Sequence, residues 1–256
     1  MSETETPSFE RDGFCTFPEP VVEPDVLATA QAGMARVRDG EFNLGRPPSA
    51  HPGYDPSKLC KINDAHLADH GLYGLLTQPP IGALAAQVTG GTRIQVWASQ
   101  LLIKPRAAAT AGNVGWHQDR QYWGYWQRPE GLFTIWIALS DVAADCGPMR
   151  FVRGSHRWGF LDQGDFFGHD QAALREQIEV PEGEVWEESE ALLGAGGVSF
   201  HHSLTYHGSG PNRSDRPRCS VAVHLRTEAV EPCQGVDNLY VSHLDDATRC
   251  PVIFEA

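Results

Sequence analysis

Two segments far apart in this chain alternate strictly between apolar and mixed positions, and that alternation restricts the fold more than any other feature. In 133–139, Phe133, Ile135, Ile137 and Leu139 fall on one side while Thr134, Trp136 and Ala138 fall on the other. In 218–226, Cys219, Val221, Val223 and Leu225 oppose Arg218, Ser220, Ala222, His224 and Arg226. A period of two means extended chain, so both segments are predicted strands with one polar-lined face each. From Arg93 onward the pattern continues in turn-bounded runs at 93–104, 133–142, 147–153, 185–193, 197–206 and 218–226, as in an antiparallel sandwich. Before Arg93 the period is helical. Val26, Ala30, Met34 and Val37 recur near every 3.6 residues in 25–38 after the start signal Pro24-Asp25, and Pro80–Val88 reads as a second short helix. Helices therefore precede a β-rich core.

The polar face raises a question of charge. An arginine such as Arg218 is costly to bury there unless an anion meets it, and that anion can be a ligand. His117-Gln118-Asp119, with His207 and then Arg218 far downstream, suits a three-ligand iron site beside a cation for an organic co-substrate. Two imidazoles and one carboxylate hold one face of an octahedral metal and leave the other open, as non-haem Fe(II) enzymes that activate O2 require. Residues two apart in a strand point the same way, so His117 and Asp119 can reach one metal from one segment, and the closing histidine must come from another strand. The spacing alone is weak, since chance gives roughly 0.7 such pairs in a chain of this composition. A second pair, His243-Leu244-Asp245, has no histidine after it and reads as a solvated loop.

At 256 residues the chain suits one domain, 1–256, with the β core at about 93–226. No apolar run approaches the roughly 20 residues of a membrane helix. Met1 to Pro7 carries no secretory signature, so a cytoplasmic protein is expected, as a monomer or homodimer. The six cysteines form no CxxC pair and are expected to be free thiols. A formal charge of −13 disfavours nucleic acid and anionic membranes as partners and leaves a small-molecule substrate.

Over roughly residues 59 to 226 the sequence resembles the phytanoyl-CoA dioxygenase family of Fe(II)/2-oxoglutarate enzymes. The resemblance rests on Lys61-Ile62-Asn63, Ser99-Gln100-Leu101-Leu102-Ile103-Lys104-Pro105, Trp116-His117-Gln118-Asp119, Trp136-Ile137-Ala138-Leu139, Gly154-Ser155-His156 and His207-Gly208-Ser209-Gly210-Pro211-Asn212. It implies a mainly β fold, a double-stranded β-helix (jelly roll, cupin-like) with flanking helices, mostly N-terminal. It implies His117, Asp119 and His207 as catalytic iron ligands; of His201, His202 and His207, only the last has the Gly-Ser-Gly-Pro-Asn turn and an arginine eleven positions later. Arg218, rather than Arg216, would grip the distal carboxylate of 2-oxoglutarate as a planar fork, with Ser209 donating to the same group. Trp136, Gln100 and Lys61 match family positions lining the co-substrate pocket.

Two departures, Cys146-Gly147 where the family often has Asn-Gly and Arg153 where it has proline, affect turns and no ligand. Asp119 stands where a halogenating branch has a small residue, which disfavours halogenation. The reaction so implied consumes O2 and 2-oxoglutarate, releases succinate and CO2, and oxidises a substrate C–H bond, most simply by hydroxylation. Ring closure, desaturation and epimerisation share the same opening steps. Substrate contacts are expected on loops over the barrel mouth. Arg120, Tyr122, Trp123, Tyr125 and Trp126 form the leading wall, Arg128 offers a second cation, and 159–184 (Phe160, Phe166, Phe167) and 230–246 (Tyr240) are further lids. His156, His201, His202 and His224 are expected to be satisfied structural histidines. Two other classes stay open: a non-catalytic sensor that binds metal and 2-oxoglutarate, and a metal-dependent jelly-roll isomerase or hydrolase, which needs neither Arg218 nor Ser209.

Overall fold

The two alternating segments are neighbouring strands in the computed structural model, which describes residues 6–107 and 112–256. The strands are β1 (Phe14–Phe17), β2 (Cys60–Asn63), β3 (Arg93–Lys104), β4 (Val114–His117), β5 (Leu132–Ala138), β6 (Met149–Val152), β7 (Glu188–Glu190), β8 (Val198–His202), β9 (His207–Ser209), β10 (Arg218–Thr227) and β11 (Val252–Glu255). The helices are α1 (Thr6–Asp12), α2 (Pro24–Arg38), α3 (His70–Leu76), α4 (Pro79–Thr89) and α5 (Gln171–Gln177). A seven-stranded antiparallel sheet runs β1-β8-β5-β10-β3-β11, with β2 also on β3, and a four-stranded sheet runs β4-β9-β6-β7. This is the jelly roll expected from the sequence.

Both faces of the large sheet are covered, which is why every residue of β5 and of β10 is buried. Phe133, Ile135, Ile137, Val221, Val223 and Leu225 pack with Ala30 and Val37 of α2, Leu72 and Leu75 of α3, and Ile81 and Ala85 of α4. Trp136, Ala138 and Ala222 turn the other way, toward Met149 and Phe151 of the small sheet, and close the barrel. The outer layer is locally encoded. Proline opens α2 and α4, where the missing N–H costs nothing. Asp69 caps α3 by accepting from Gly71 N at 2.7 Å and pairs with Arg36 of α2 at 2.8 Å. Gly82 lets α4 lie directly on β11, since a Cβ there would sit 1.9 Å from the Ile253 carbonyl.

Three expectations about extent need correction, the first being the strand expected at 133–142, which ends at Ala138. The strand expected at 185–193 is only Glu188–Glu190, because its partner β6 offers four residues to pair with. The strand expected at 197–206 stops at His202, after which 203–206 turn and carry the chain to the small sheet. Strands β1, β2, β4, β9 and β11 have three or four residues each, too few for alternation to register. No helix among the described residues is long and apolar enough to cross a membrane. None of the six cysteines, all among the described residues, forms a disulfide.

Candidate metal and co-substrate site

His117 ends β4, His207 begins β9, and the two are direct partners across that pair of strands, with ring centroids 4.1 Å apart. Each ring is fixed by the carbonyl two residues before it: His117 Nδ1 lies 2.8 Å from Gly115 O and His207 Nδ1 lies 2.9 Å from Thr205 O. A carbonyl only accepts, so Nδ1 carries the proton in both rings and Nε2 is left with a free lone pair. Burial pushes both imidazoles below their ordinary pKa, which keeps those lone pairs available.

Asp119 does not share the strand of His117, as its spacing suggested; it opens a 3-10 turn, Asp119–Tyr122. The two side chains still converge because Gln118 between them is extended (φ −104, ψ 132). Gln118 points the opposite way and ties down the surroundings, donating to Gly159 O and Leu204 O and accepting from Leu161 N. Asp119 Oδ1 stands 3.8 Å from Nε2 of both His117 and His207. Among the described residues these three form the group of His, Cys, Asp or Glu placed to hold a metal ion, their ligand atoms within 4.8 Å of one another. The second pair, His243 and Asp245, lies exposed in a turn.

The other carboxylate oxygen is held by a row of residues that register alone brings together. Thr134 of β5 lies opposite His224 of β10 on one side and His201 of β8 on the other. Thr134 Oγ1 is 2.9 Å from Asp119 Oδ2, and His201 Nε2 is 3.2 Å from the same oxygen. An ionised carboxylate only accepts, so the Thr134 hydroxyl and His201 Nε2–H both donate to it. Oδ2 is thereby occupied and Oδ1 left facing the imidazoles. Burial alone would raise the Asp119 carboxyl, but His207, His201 and His224 around it outweigh burial and hold it well below the usual range.

One rung further along the sheet lie Gln100, Ala222 and Trp136, and two rungs beyond that Arg218 faces Lys104 in register. Arg218 is 1% exposed, with its guanidinium 5.0 Å from the Trp136 ring centroid. It donates to Gly147 O, while its Nε finds no partner. Lys104 is equally buried and is satisfied by Ser209 Oγ at 2.7 Å and by the carbonyls of Ser209 and Gly210. Because Ser209 Oγ accepts from Lys104, its own proton is free to donate elsewhere. No carboxylate among the described residues pairs with either cation, and burial lowers the Arg218 pKa to about 10. One cavity runs from His117, Asp119 and His207 past Trp136 and Gln100 to Arg218. That cavity has the three metal-ligand candidates at one end and the guanidinium at the other.

A second cavity opens outward from the first and shares Gln100, Asp119, Phe166 and His224 with it. Tyr122, Trp123, Tyr125, Phe166, Phe167 and Tyr240 line it, as does Lys61, which β2 places opposite Leu102 with its ammonium 4.3 Å from the Phe166 ring centroid. Trp126 and Arg120 are not brought there. Trp126 is fully buried behind Trp97, its backbone bridged to Pro232, and Arg120 turns back to donate to Trp123 O at 2.7 Å. Arg128 is spent on Ala229 O, and Phe160 lies exposed outside the cavity. Sequence reasoning did not single out Lys104, Thr134, Trp97 or Asn63. It read His156, His201, His202 and His224 as satisfied structural histidines, whereas among the described residues His156 Nδ1, His201 Nδ1 and His224 Nε2 each lack a partner.

Residues 9–220, which contain all the ligand candidates and Arg218, match the description of the phytanoyl-CoA dioxygenase family. The chain belongs to that family. This family member is 27% identical over 188 residues to a probable alpha-ketoglutarate-dependent hypophosphite dioxygenase of Stutzerimonas stutzeri, covering 70% of this chain and 61% of that protein. It is 25% identical over 135 residues to dioxygenase hkm4 of Aspergillus hancockii, covering 51% and 41%. The match thus spans less than two thirds of either relative's length. Among solved structures it resembles the alpha-ketoglutarate-dependent epimerase SnoN of nogalamycin biosynthesis in complex with Fe3+, alpha-ketoglutarate and nogalamycin RO (TM-score 0.69, 25% identity, 95% of this chain and 89% of that one). It shares its fold with the carbocyclase SnoK of the same biosynthesis (TM-score 0.71, 23% identity, 96% and 90% covered).

Proposed function

We propose that this protein is a non-haem Fe(II)- and 2-oxoglutarate-dependent dioxygenase that hydroxylates a C–H bond of a small molecule, with succinate and CO2 as the co-products. The observation that carries the reading is Arg218, a buried guanidinium with no carboxylate partner among the described residues, at the far end of the cavity that begins at His117, Asp119 and His207. A hydrolase or isomerase on this scaffold has use for the three ligands and none for a buried cation beyond them. An unmatched buried charge is retained against its cost when a ligand supplies the counter-charge.

In this reading His117, Asp119 and His207 hold ferrous iron through two Nε2 atoms and Oδ1. Arg218, with the Ser209 hydroxyl, takes the distal carboxylate of 2-oxoglutarate; Trp136 and Gln100 flank its chain, and Lys61 stands at the cavity mouth. Bound together, the iron and its co-substrate supply the O2-driven oxidation of an unactivated C–H bond. The protein supplies position and a dry enclosure. Thr134 and His201 keep Asp119 Oδ2 occupied, so the carboxylate offers one oxygen to the metal and leaves room for other ligands. Tyr122, Trp123 and Tyr125 form an aromatic wall for a flat, apolar substrate, with Trp126 and Arg120 supporting it from behind.

Thermal denaturation under anaerobic Mn(II), with and without 2-oxoglutarate, tests the reading before any substrate is known. A ligand at 100 times its dissociation constant adds about 2.7 kcal/mol to stability by mass action. A shift with Mn(II) that 2-oxoglutarate extends is expected; no extension by 2-oxoglutarate overturns the proposal.

A further inference from the structure

His224 has a ring whose two nitrogens are in opposite states. Thr134 gives its only proton to Asp119 Oδ2, so the hydroxyl can only accept from His224 Nδ1, 2.9 Å away. Nδ1 is therefore the protonated nitrogen, and Nε2 holds an in-plane lone pair. That atom is buried and has no partner among the described residues. The ring is not free to turn away: it stacks on Trp97 at 5.2 Å with an interplanar angle of 26°, and the edge of Trp123 closes on it at 4.9 Å. Burial also keeps it neutral, lowering its pKa to about 4. His224 borders both the metal-end cavity and the aromatic outer one. A buried acceptor left without a donor is costly, and folded proteins keep one where a ligand completes it.

We propose that His224 Nε2 accepts a hydrogen bond from a hydroxyl or N–H group of the substrate, and so selects flat apolar molecules that carry such a donor beside the carbon to be oxidised. The inference deepens the oxygenase reading and rests on it. The selection is a rejection as much as an attraction. An ether, ketone or carboxylate oxygen placed against Nε2 sets lone pair against lone pair, and a site with a committed acceptor discriminates strongly against a group that cannot donate. The chain Nε2, Nδ1–H, Thr134 O–H and Asp119 Oδ2 runs in one donor direction, so a donor bound at Nε2 is polarised toward the metal ligand.

The probes are 2-naphthol and its methyl ether, 2-methoxynaphthalene, titrated calorimetrically into protein held with anaerobic Mn(II) and 2-oxoglutarate. The 2-oxoglutarate shift is read first, so that its absence sinks the oxygenase reading, whereas its presence leaves the probe result to bear on His224 alone. Wild-type protein is expected to bind the naphthol about fivefold more tightly than the ether, the range of one neutral hydrogen bond. In His224→Asn, whose amide can still donate to Thr134 but whose shorter side chain places no acceptor at the Nε2 position, the preference should fall below twofold. His224→Gln, whose carboxamide oxygen can replace Nε2, should recover part of it. Should the Asn variant not fold, His224→Phe serves in its place, keeping ring volume without either nitrogen. Equal binding of the two probes, no binding of the naphthol, or an undiminished preference without the imidazole overturns the inference.

Discussion

The Arg218 guanidinium lies over the Trp136 indole, 5.0 Å from its centroid, and faces Lys104 directly across the β3–β10 pair. Two buried cations thus adjoin with no anion between them among the described residues, an arrangement that penalises the ligand-free protein. Arg218→Met keeps the length of the side chain and removes its charge. The variant is expected to melt no lower than wild type without ligand, to keep its Mn(II) shift, and to lose the 2-oxoglutarate increment of about 2.7 kcal/mol. Calorimetric melts under the three conditions check all of this, and a retained increment would show that the co-substrate binds elsewhere.

Thr134 is the hub between Asp119 and His224, at 2.9 Å from each. Thr134→Val is nearly isosteric, so it removes the hydroxyl without opening a cavity. Asp119 Oδ2 then keeps only His201, and the carboxylate can rotate away from the imidazoles. Metal affinity should fall by about 10- to 100-fold, the usual consequence of removing a group that orients a ligand. Leaving His224 Nδ1–H unpaired should also cost about 1–3 kcal/mol of stability. Metal titration and urea denaturation read the two effects separately; unchanged metal affinity would remove Thr134 from the site.

How far the sequence spoke depends on the distance between the residues concerned. Phe133 to Ala138 and Cys219 to Leu225 alternate within single segments, so both strands and their polar faces were legible locally. His117 and Asp119 are two apart, and His207 was legible through the motif around it. Thr134, His201 and His224 come from three separate strands and meet only because β5 is paired in one register with β8 and in another with β10. No spacing encodes that. Trp126 was misplaced for the converse reason: adjacency to Tyr125 in sequence says nothing about which way a loop residue turns, and the bridge to Pro232 turned it inward.

Histidine burial sets the pH dependence. Free in the unfolded chain, an imidazole titrates near its ordinary value of about 6.5, whereas folded His224 titrates at about 4 and His117 and His207 are also lowered. Above pH 6.5 both states are neutral and nothing is lost. As pH falls through 6.5 toward 4 the unfolded state takes up protons that the folded state refuses, so stability declines. At pH 5 His224 alone should cost about 2 kcal/mol. Asp119 does not offset this, because its carboxyl, held low, stays ionised throughout the window. Metal-free melting temperatures measured from pH 7.5 to 5 should fall steadily. A flat profile would mean that these rings are solvated.

Gly115 fixes how the lid reaches the metal. Its N–H donates to Phe166 O at 3.1 Å, its carbonyl orients His117, and a Cβ on it would lie 2.1 Å from the Asp165 carbonyl. Phe166 in turn packs on the His117 ring at 5.1 Å and under the Lys61 ammonium, so the 165–168 segment closes both cavities only while β4 carries no side chain at this point. Gly115→Ala must push that segment outward. Overpacking of this kind costs about 1–3 kcal/mol, and the opened cavity admits water. The variant should melt lower, be cut by protease within 160–170 faster than wild type, and release more succinate without substrate oxidation. Gly124→Ala is the matched control, since a Cβ there meets nothing within 4 Å although the residue lies in the aromatic wall itself. If Gly115→Ala behaves as Gly124→Ala does, the lid is not held by β4, and Phe166 reaches His117 by some other support.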